Sequence, residues 1–508
     1  VRQIVCDAYC SSVKGIVKAG HGFMISRRGF IAGAAAAALH SQVVKPPNIL
    51  FVMPDQLRAH ALGYMGNSDV RTPNIDRLAG ESVVFANTFA NTPVCCPARA
   101  NILTGKYAHM NGMVANDLRL RESENGLSKL LQGRGYRTGF IGKWHLDGGR
   151  RLPGFVPPGP RRHGFEFWAA NECSHAHFSN HYFRDTPEPI PISKFEAEGW
   201  TDLGIEFLNA TKTDKRPFFL TVQMGPPHDP YKAPPEYRKM YDAAKLQMRP
   251  NWQEKSGLPG REQLAEYYGM ITAVDDQVGR LARVLEELGL AEDTLVLFSS
   301  DHGDMFGSQG LRLKRKPWEE SIRIPGLLRY GRKAPKGGRS DAIFSQVDFA
   351  PTLLSLCGIE PPPEMQGSDL AAAVLGTKAS SPDSAFFQIF GPFKGDGTED
   401  GWRGVRTGNH MYARFESRPW VLYDLKKDPY ETNNLVSDAG SKTLLQDMER
   451  RLGEWMKRTG DSWKHNWHAP VEDGGRLYTR NKTFYTVDEC LEWEKKNPGA
   501  ADARSKGQ

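Results

Sequence analysis

The stretch Asn48-Ile49-Leu50-Phe51-Val52-Met53 is apolar from its second residue and stops at Pro54-Asp55-Gln56. Three later stretches share that design. Thr138-Gly139-Phe140-Ile141-Gly142 runs into Lys143-Trp144-His145, and Phe218-Phe219-Leu220-Thr221-Val222 leads to Pro226-Pro227-His228-Asp229. Thr294-Leu295-Val296-Leu297-Phe298-Ser299 ends at Asp301-His302-Gly303-Asp304. Unbroken apolar runs, as opposed to alternating ones, predict strands buried on both faces of a mostly parallel sheet.

Helical patterns separate these runs. The clearest places Leu264, Tyr268, Ile271, Val274, Val278, Leu281, Leu285 and Leu288 at helical spacing, with Gly289 as the residue after its end. Thr72-Pro73 reads as an N-cap and first helical residue, burying Ile75 and Leu78, and a third helix carries Leu127, Leu130 and Leu131 before Gly133. The alternation predicts an α/β fold: a large doubly wound, mixed but mostly parallel sheet sandwiched by helices. Its active site would lie beyond the carboxyl ends of the strands, so all four polar clusters would meet at one edge.

After about residue 385 the pattern changes. Trp402-Arg403-Gly404-Val405-Arg406-Thr407 and Trp420-Val421-Leu422-Tyr423-Asp424-Leu425 read as short antiparallel strands, followed by a helix with Leu445, Met448, Leu452 and Trp455 on one face. This is a smaller C-terminal α+β subdomain containing an antiparallel sheet, with a polar tail after roughly Asn481. The expected organisation is residues 1–45, a catalytic domain over 46–385, and the C-terminal subdomain and tail over 386–508.

Near the start, Ser26-Arg27-Arg28-Gly29-Phe30-Ile31 and an Ala/Gly-rich stretch ending near Leu39 resemble a twin-arginine export leader. Met24 would be its natural start. The reading implies the Tat translocase as a partner and a periplasmic or secreted destination. The apolar run is too short for a stable membrane span. The 508 residues carry a net charge of +7, with 39% hydrophobic and 25% charged residues, which excludes a disordered chain or a disulfide scaffold. Six basic residues and one acid, Asp7, fall in residues 1–45, so all but two of the seven excess charges belong there. The nearly neutral remainder supports no nucleic-acid role.

Cys95-Cys96-Pro97-Ala98-Arg99, followed by Leu103-Thr104-Gly105-Lys106, is the most specific local pattern. With Gly142-Lys143-Trp144-His145-Leu146, Ser300-Asp301-His302-Gly303 and Leu422-Tyr423-Asp424-Leu425 in order, the chain resembles the type I sulfatases of the alkaline phosphatase superfamily. The resemblance spans Pro47 to about Leu435. It implies hydrolysis of sulfate monoesters and oxidation of Cys95 to Cα-formylglycine by a separate formylglycine-generating enzyme. In that family one hydroxyl of the hydrated aldehyde attacks sulfur and the other expels sulfate. A helix expected to begin at Pro97 would put Cys95 at its positive end, a ready anion site.

Asp55, Gln56, Asp301 and His302 end two strands and could jointly hold a divalent cation. Oxygen ligands suit Ca²⁺ or Mg²⁺, and the imidazole admits Mn²⁺. The resemblance implies Ca²⁺, with the oxidised Cys95 as a further ligand. Many members carry Asp where Gln56 stands and Asn where His302 stands. By the same resemblance, Arg99 and Lys143 would brace the formylglycine and sulfate, and His145 would bond the hydroxyl that drives expulsion. His228 and Lys314 would contact sulfate and protonate the departing alcohol, while Asp301 could take the nucleophile's proton.

The segment Asn171-Glu172-Cys173-Ser174-His175-Ala176-His177-Phe178-Ser179-Asn180-His181-Tyr182-Phe183-Arg184 reads either as a substrate-facing loop lining a sugar or aryl subsite or as an ordinary aromatic-rich surface loop. Its Cys and His spacing does not match structural zinc sites. A sulfated carbohydrate or other small sulfate ester is the expected substrate. Two rival readings stand beside it: a phosphonate monoester hydrolase or phosphodiesterase of the same superfamily, and a non-catalytic binder of sulfated glycans.

Overall fold

The computed structural model describes residues 45–148, 153–377, 381–390 and 401–463, with residues 478–479, 482–483 and 496. The expected export leader and most of the C-terminal tail lie outside the described residues. Strands β1 (Asn48–Pro54), β2 (Val83–Phe89), β3 (Arg137–Lys143) and β4 (Phe167–Asn171) precede a small hairpin of β5 (Asn180–Tyr182) and β6 (Ile190–Ile192). Then come β7 (Phe218–Met224), β8 (Thr294–Phe298), β9 (Leu327–Tyr330) and β10 (Gly338–Ser345). The main sheet has eight strands in the order β10-β2-β9-β8-β1-β7-β3-β4. Only β9 runs antiparallel to its neighbours, so the sheet is mixed and mostly parallel, as expected.

The four apolar runs are the four adjacent central strands β8, β1, β7 and β3, all mutually parallel. Successive side chains of β1 feed two cores because a strand turns alternate residues to opposite faces. Ile49, Phe51 and Met53 pack with α2 (Cys95–Thr104), α3 (Leu127–Gly133) and α6 (Gln346–Leu356). Leu50 and Val52 pack with α1 (Pro73–Gly80), α4 (Glu196–Asn209) and α5 (Arg261–Glu287). The apolar series read for α5 is buried from Leu264 through Leu285, and Gly289 follows in the left-handed region (φ 66°).

A second sheet of four antiparallel strands follows: β11 (Ser384–Ile389), β12 (Trp402–Thr407), β13 (His410–Phe415) and β14 (Pro419–Asp424). Helix α7 (Lys442–Thr459) lays Met448, Leu452 and Trp455 on Phe386, Val405, Tyr412 and Leu422. The other face carries Phe387, Trp402 and Met411, which pack with Phe89 and Val94 from the edge of the main sheet. No helix among the described residues is long and apolar enough to cross a membrane.

Candidate active site

Parallel strands bring their carboxyl ends to one edge, and the polar clusters meet there. Asp55 directly follows β1, Lys143 closes β3, and His228 and Asp301 lie in the loops after β7 and β8. Gly142 sits at φ 105°, where an added Cβ would overlap the Gln223 carbonyl oxygen, so close approach of β3 to β7 demands glycine before Lys143.

Helix α2 begins at Cys95, two residues before the expected start at Pro97, and all ten of its residues are buried. Its N-cap, Val94, offers no side-chain acceptor. A remote residue does the capping instead: Cys96 N–H donates to Asn116 Oδ1 at 3.0 Å. Cys95 is thereby the first residue of a buried helix, 2% exposed, at the positive end of the peptide dipoles.

Ligand atoms of Asp55, Cys95, Asp301 and His302 lie within 4.8 Å of one another. Arg99 ties this cluster together. Its guanidinium donates to Asp55 Oδ2 (3.1 Å), Asp301 Oδ2 (3.0 Å), Lys143 O (2.7 Å) and Gln223 Oε1. Lys143 Nζ also donates to Asp55 Oδ2, at 2.7 Å. Arg99 thus braces the carboxylates of the cluster and makes no hydrogen bond to Cys95 in this structure. Asp301 Oδ1 accepts the backbone N–H groups of Gln56 and His302 (3.1 and 3.0 Å). Both oxygens of Asp301 are thereby engaged, which fixes the orientation of its carboxylate within the cluster.

The cluster suits a divalent cation on three counts. Asp55 Oδ1 is buried and has no hydrogen-bond partner among the described residues, which leaves a lone pair to be satisfied. His302 Nδ1 lies 3.0 Å from Gly303 O and must donate to it. Loss of the Nε2 proton to a bound cation would turn that lone pair toward Cys95 Sγ, 3.3 Å away; without a cation, Asp301 foremost raises the imidazole pKa against the effect of burial. Two carboxylates also supply hard oxygen donors, joined by one borderline imidazole. Gln56 stands next to these groups with its amide engaged elsewhere. Its Oε1 accepts from Lys314 Nζ (2.6 Å), and its Nε2 donates to Asp304 Oδ2 (2.9 Å) and Asp229 Oδ1 (3.3 Å).

A cationic wall faces Cys95. Lys314 Nζ is 2.7 Å from His228 Nε2. Protonated lysine can only donate, so Nε2 accepts and Nδ1–H points to Asp229 O at 2.6 Å. His175 stacks on His228 with ring centroids 4.2 Å apart and planes 6° from parallel, and its Nε2 lies 3.5 Å from Lys143 Nζ. His145, at φ 55°, bonds Asp117 Oδ1 through Nε2 at 3.0 Å.

Charge follows from this arrangement. Burial alone would raise the Cys95 thiol pKa, but Lys314, then Lys143 and a protonated His302, hold it well below its ordinary value. Burial likewise opposes ionisation of Asp55, and Lys143 foremost outweighs it, keeping that carboxyl well below the usual range. His145 is raised well above its ordinary value against the effect of burial, by neighbouring thiols and Asp117. His175 is driven down by burial and Lys143, so it stays neutral.

The 171–184 segment therefore does enter the site, through His175 and His177. Buried His177 places Nδ1 2.5 Å from Glu196 Oε1 and Nε2 2.7 Å from His228 O. It fixes the backbone that carries His228. Cys173, His175, His177 and His181 form no metal-holding group among the described residues. The His-rich composition signalled His175 and His177. Asp117, Glu196 and Gln223 carry no local signature, since their partners lie 19 to 124 residues away.

A family model described as Sulfatase matches residues 47–359, and one described as N-sulphoglucosamine sulphohydrolase, C-terminal, matches residues 307–458. An ulvan-active sulfatase of Formosa agariphila is 37% identical over 423 residues, covering 82% of each chain. An endo-4-O-sulfatase of Bacteroides thetaiotaomicron is 29% identical, covering 85% of this chain and 96% of its own. One solved structure with a TM-score of 0.74 and 25% identity covers 83% of this chain and 100% of its own, and is in complex with its substrate D-glucosamine-2-N,6-O-disulfate.

Proposed function

We propose, since this chain belongs to the sulfatase family, that it hydrolyses a sulfate monoester on a carbohydrate at the edge formed by β8, β1, β7 and β3. The observation that carries this reading is the gathering of Asp55, Cys95, Asp301 and His302 within 4.8 Å beneath the Lys314–His228 pair. Asp55, Asp301 and His302 would hold a divalent cation, Ca²⁺ in this reading, joined by the matured side chain of Cys95. Such an ion supplies positive charge beside the sulfate oxygens and lowers the pKa of a hydroxyl bound to it. Oxidation of Cys95 to Cα-formylglycine supplies a hydrated aldehyde with two hydroxyls on one carbon.

The chain's own residues bind and move protons. Lys143, Lys314 and neutral His175 set fixed donors where sulfate oxygens would sit, and a dry site magnifies their effect. Lys314 and His228 share a proton across 2.7 Å that either can give to the departing alcohol oxygen. Asp117 keeps His145 oriented and protonated, so His145 bonds an oxygen on the residue-95 side chain. Arg99 holds the carboxylates of Asp55 and Asp301 in place.

The carbohydrate assignment is supported by the substrates named for the relatives. We also read residues 26–39 as a twin-arginine leader that takes the enzyme to the periplasm or beyond, ahead of a catalytic body over 46–385 and a C-terminal part from 386.

Peptide mass spectrometry across Cys95 tests the nucleophile: maturation lowers the peptide mass by about 18 Da. Parallel turnover of a nitrophenyl sulfate and a phenylphosphonate monoester tests the reaction. Sulfate turnover should dominate and vanish in Cys95→Ala with the fold intact. Phosphonate turnover greater by orders of magnitude would replace the reading with a phosphonate monoester hydrolase. An unmodified, inactive protein from its native host would leave a glycan binder.

A further inference from the structure

On the far side of the Gln56 backbone lies a cavity of about 410 Å³, in the range of small-molecule sites. Arg58, Arg249 and Arg323 line it, with Asp69 the one acid among the lining residues. Arg323 is spent on Ala86 O and Glu319, and Asp69 is tied to Gln247 N–H at 2.7 Å. Arg249 uses Nε on Glu320 at 2.7 Å, which leaves its two terminal nitrogens, and it stacks on Tyr430 at 5.2 Å.

Arg58 is the unusual member. It is 4% exposed, yet its guanidinium makes no hydrogen bond or ion pair among the described residues, and its buried Nε is without a partner. It rests on the rings of Phe306 (5.3 Å) and Tyr267 (5.8 Å), and Asp304 and Glu320 support its charge through space without a hydrogen bond. A buried cation without a paired anion is costly unless something completes it. His60 reports the local field: burial, then Arg249, Arg323 and Arg58, push its imidazole pKa well below the ordinary value. Tyr430, 37% exposed, offers a ring at the cavity mouth.

We propose that this cavity binds a sugar unit bearing a sulfate or carboxylate, its oxyanion on Arg58 and Arg249 and its ring against Tyr430. The inference rests on the carbohydrate reading above and adds a second anionic subsite outside the reaction centre. The volume favours a substituted ring over a bare ion. The site also abuts the catalytic loops: Tyr267 OH donates to Gln56 O at 3.0 Å and accepts Arg58 N–H at 3.3 Å.

The test is calorimetric titration of the full-length Cys95→Ala protein with a chondroitin disaccharide carrying one carboxylate and one sulfate, beside inorganic sulfate. Two binding events are expected. Lys314→Ala should remove one. Arg58→Met or Arg249→Gln should weaken the other by about tenfold or more, the loss for a charge-assisted hydrogen bond, and inorganic sulfate should bind there at least about tenfold more weakly than the disaccharide. Nitrophenyl sulfate turnover by the Cys95-containing enzyme should be unchanged in Arg249→Gln. Should Arg58→Met fail to fold, Arg249→Gln and Tyr430→Ala carry the comparison. A single event indifferent to Arg249, or equal affinity for inorganic sulfate, overturns the proposal. Absence of sulfate-ester turnover in the wild type would instead defeat the functional reading, whatever the titration gives.

Discussion

Replacing Arg99 by methionine keeps most of the side-chain volume and removes every hydrogen bond of the guanidinium. The residue is 3% exposed, so its partners are buried with it. Four acceptors lose a donor: Lys143 O, Gln223 Oε1, Asp55 Oδ2 and Asp301 Oδ2. Asp55 Oδ2 keeps Lys143 Nζ at 2.7 Å, whereas Asp301 Oδ2 is left with no side-chain donor. Removing one partner of a buried ion pair costs about 3–5 kcal/mol. At roughly 2–4 °C per kcal/mol for a large domain, the melting temperature should fall on the order of 10 °C. The sign of the pH dependence follows from Asp55. Its depressed pKa contributes stability above the ordinary carboxylate value, lost as pH falls through the folded pKa. Without Arg99 that pKa rises in part, Lys143 still holding it down, so the gap between wild type and variant should narrow only as the pH falls toward the raised value. Differential scanning calorimetry from pH 5 to 8, at matched scan rate and with chelator present, measures both quantities. A loss below about 2 °C at pH 7, or a gap that widens on acidification, would refute the picture of Arg99 as the brace of two buried carboxylates.

Glu172 gives the opposite sign: burial, then Asp147, raise its pKa to about 8 from an ordinary 4.5. Between those values the folded state binds more protons, so stability falls as pH rises. Glu172→Gln can still accept from Asp147 N–H and should stabilise by about 2–4 kcal/mol at pH 8 and hardly at all at pH 4.5; equal denaturation midpoints at pH 8 would refute this. Lys314→Ala should lower kcat/KM for a nitrophenyl sulfate by about 10²–10³, with arginine restoring only part; an unaffected rate would remove Lys314 from the site. Chelation should lower the melting temperature, and Ca²⁺ at a hundredfold excess over its Kd should restore about 2.7 kcal/mol. That recovery should be absent in Asp55→Asn, and a full recovery there would move the cation elsewhere.

The central strands were legible because burial on both faces leaves an unbroken apolar signature in β1, β7 and β8. The edge strand β10, Gly338-Arg339-Ser340-Asp341-Ala342-Ile343-Phe344-Ser345, carries polar residues over half its length and left no such trace. Strand order was equally hidden, because pairing β1 with both β7 and β8 is a contest among residues 170 to 246 positions apart. The start of α2 was misplaced for a local reason: Val94 is no cap, and Pro97 looks like a first-turn residue while the actual cap comes from Asn116. Asp55, Lys143, His228 and Asp301 of the candidate site were legible through their positions at or just beyond strand ends. The partners that orient them, Asp117, Gln223 and Glu196, were not, because a single carboxylate or amide becomes meaningful only once the fold supplies its neighbour.

Complete burial of α2 also sets an order of events. With Cys95 at 2% exposure and all ten residues of its helix buried, the folded chain leaves that sulfur no room for a second protein's active site. Any oxidation of residue 95 by an enzyme must therefore happen on the nascent or unfolded chain. Protein made in a host lacking that activity would be locked in the thiol form, and adding the modifying enzyme afterwards would not rescue it without unfolding. Yield of active enzyme would then be decided by a race between modification and collapse of the core.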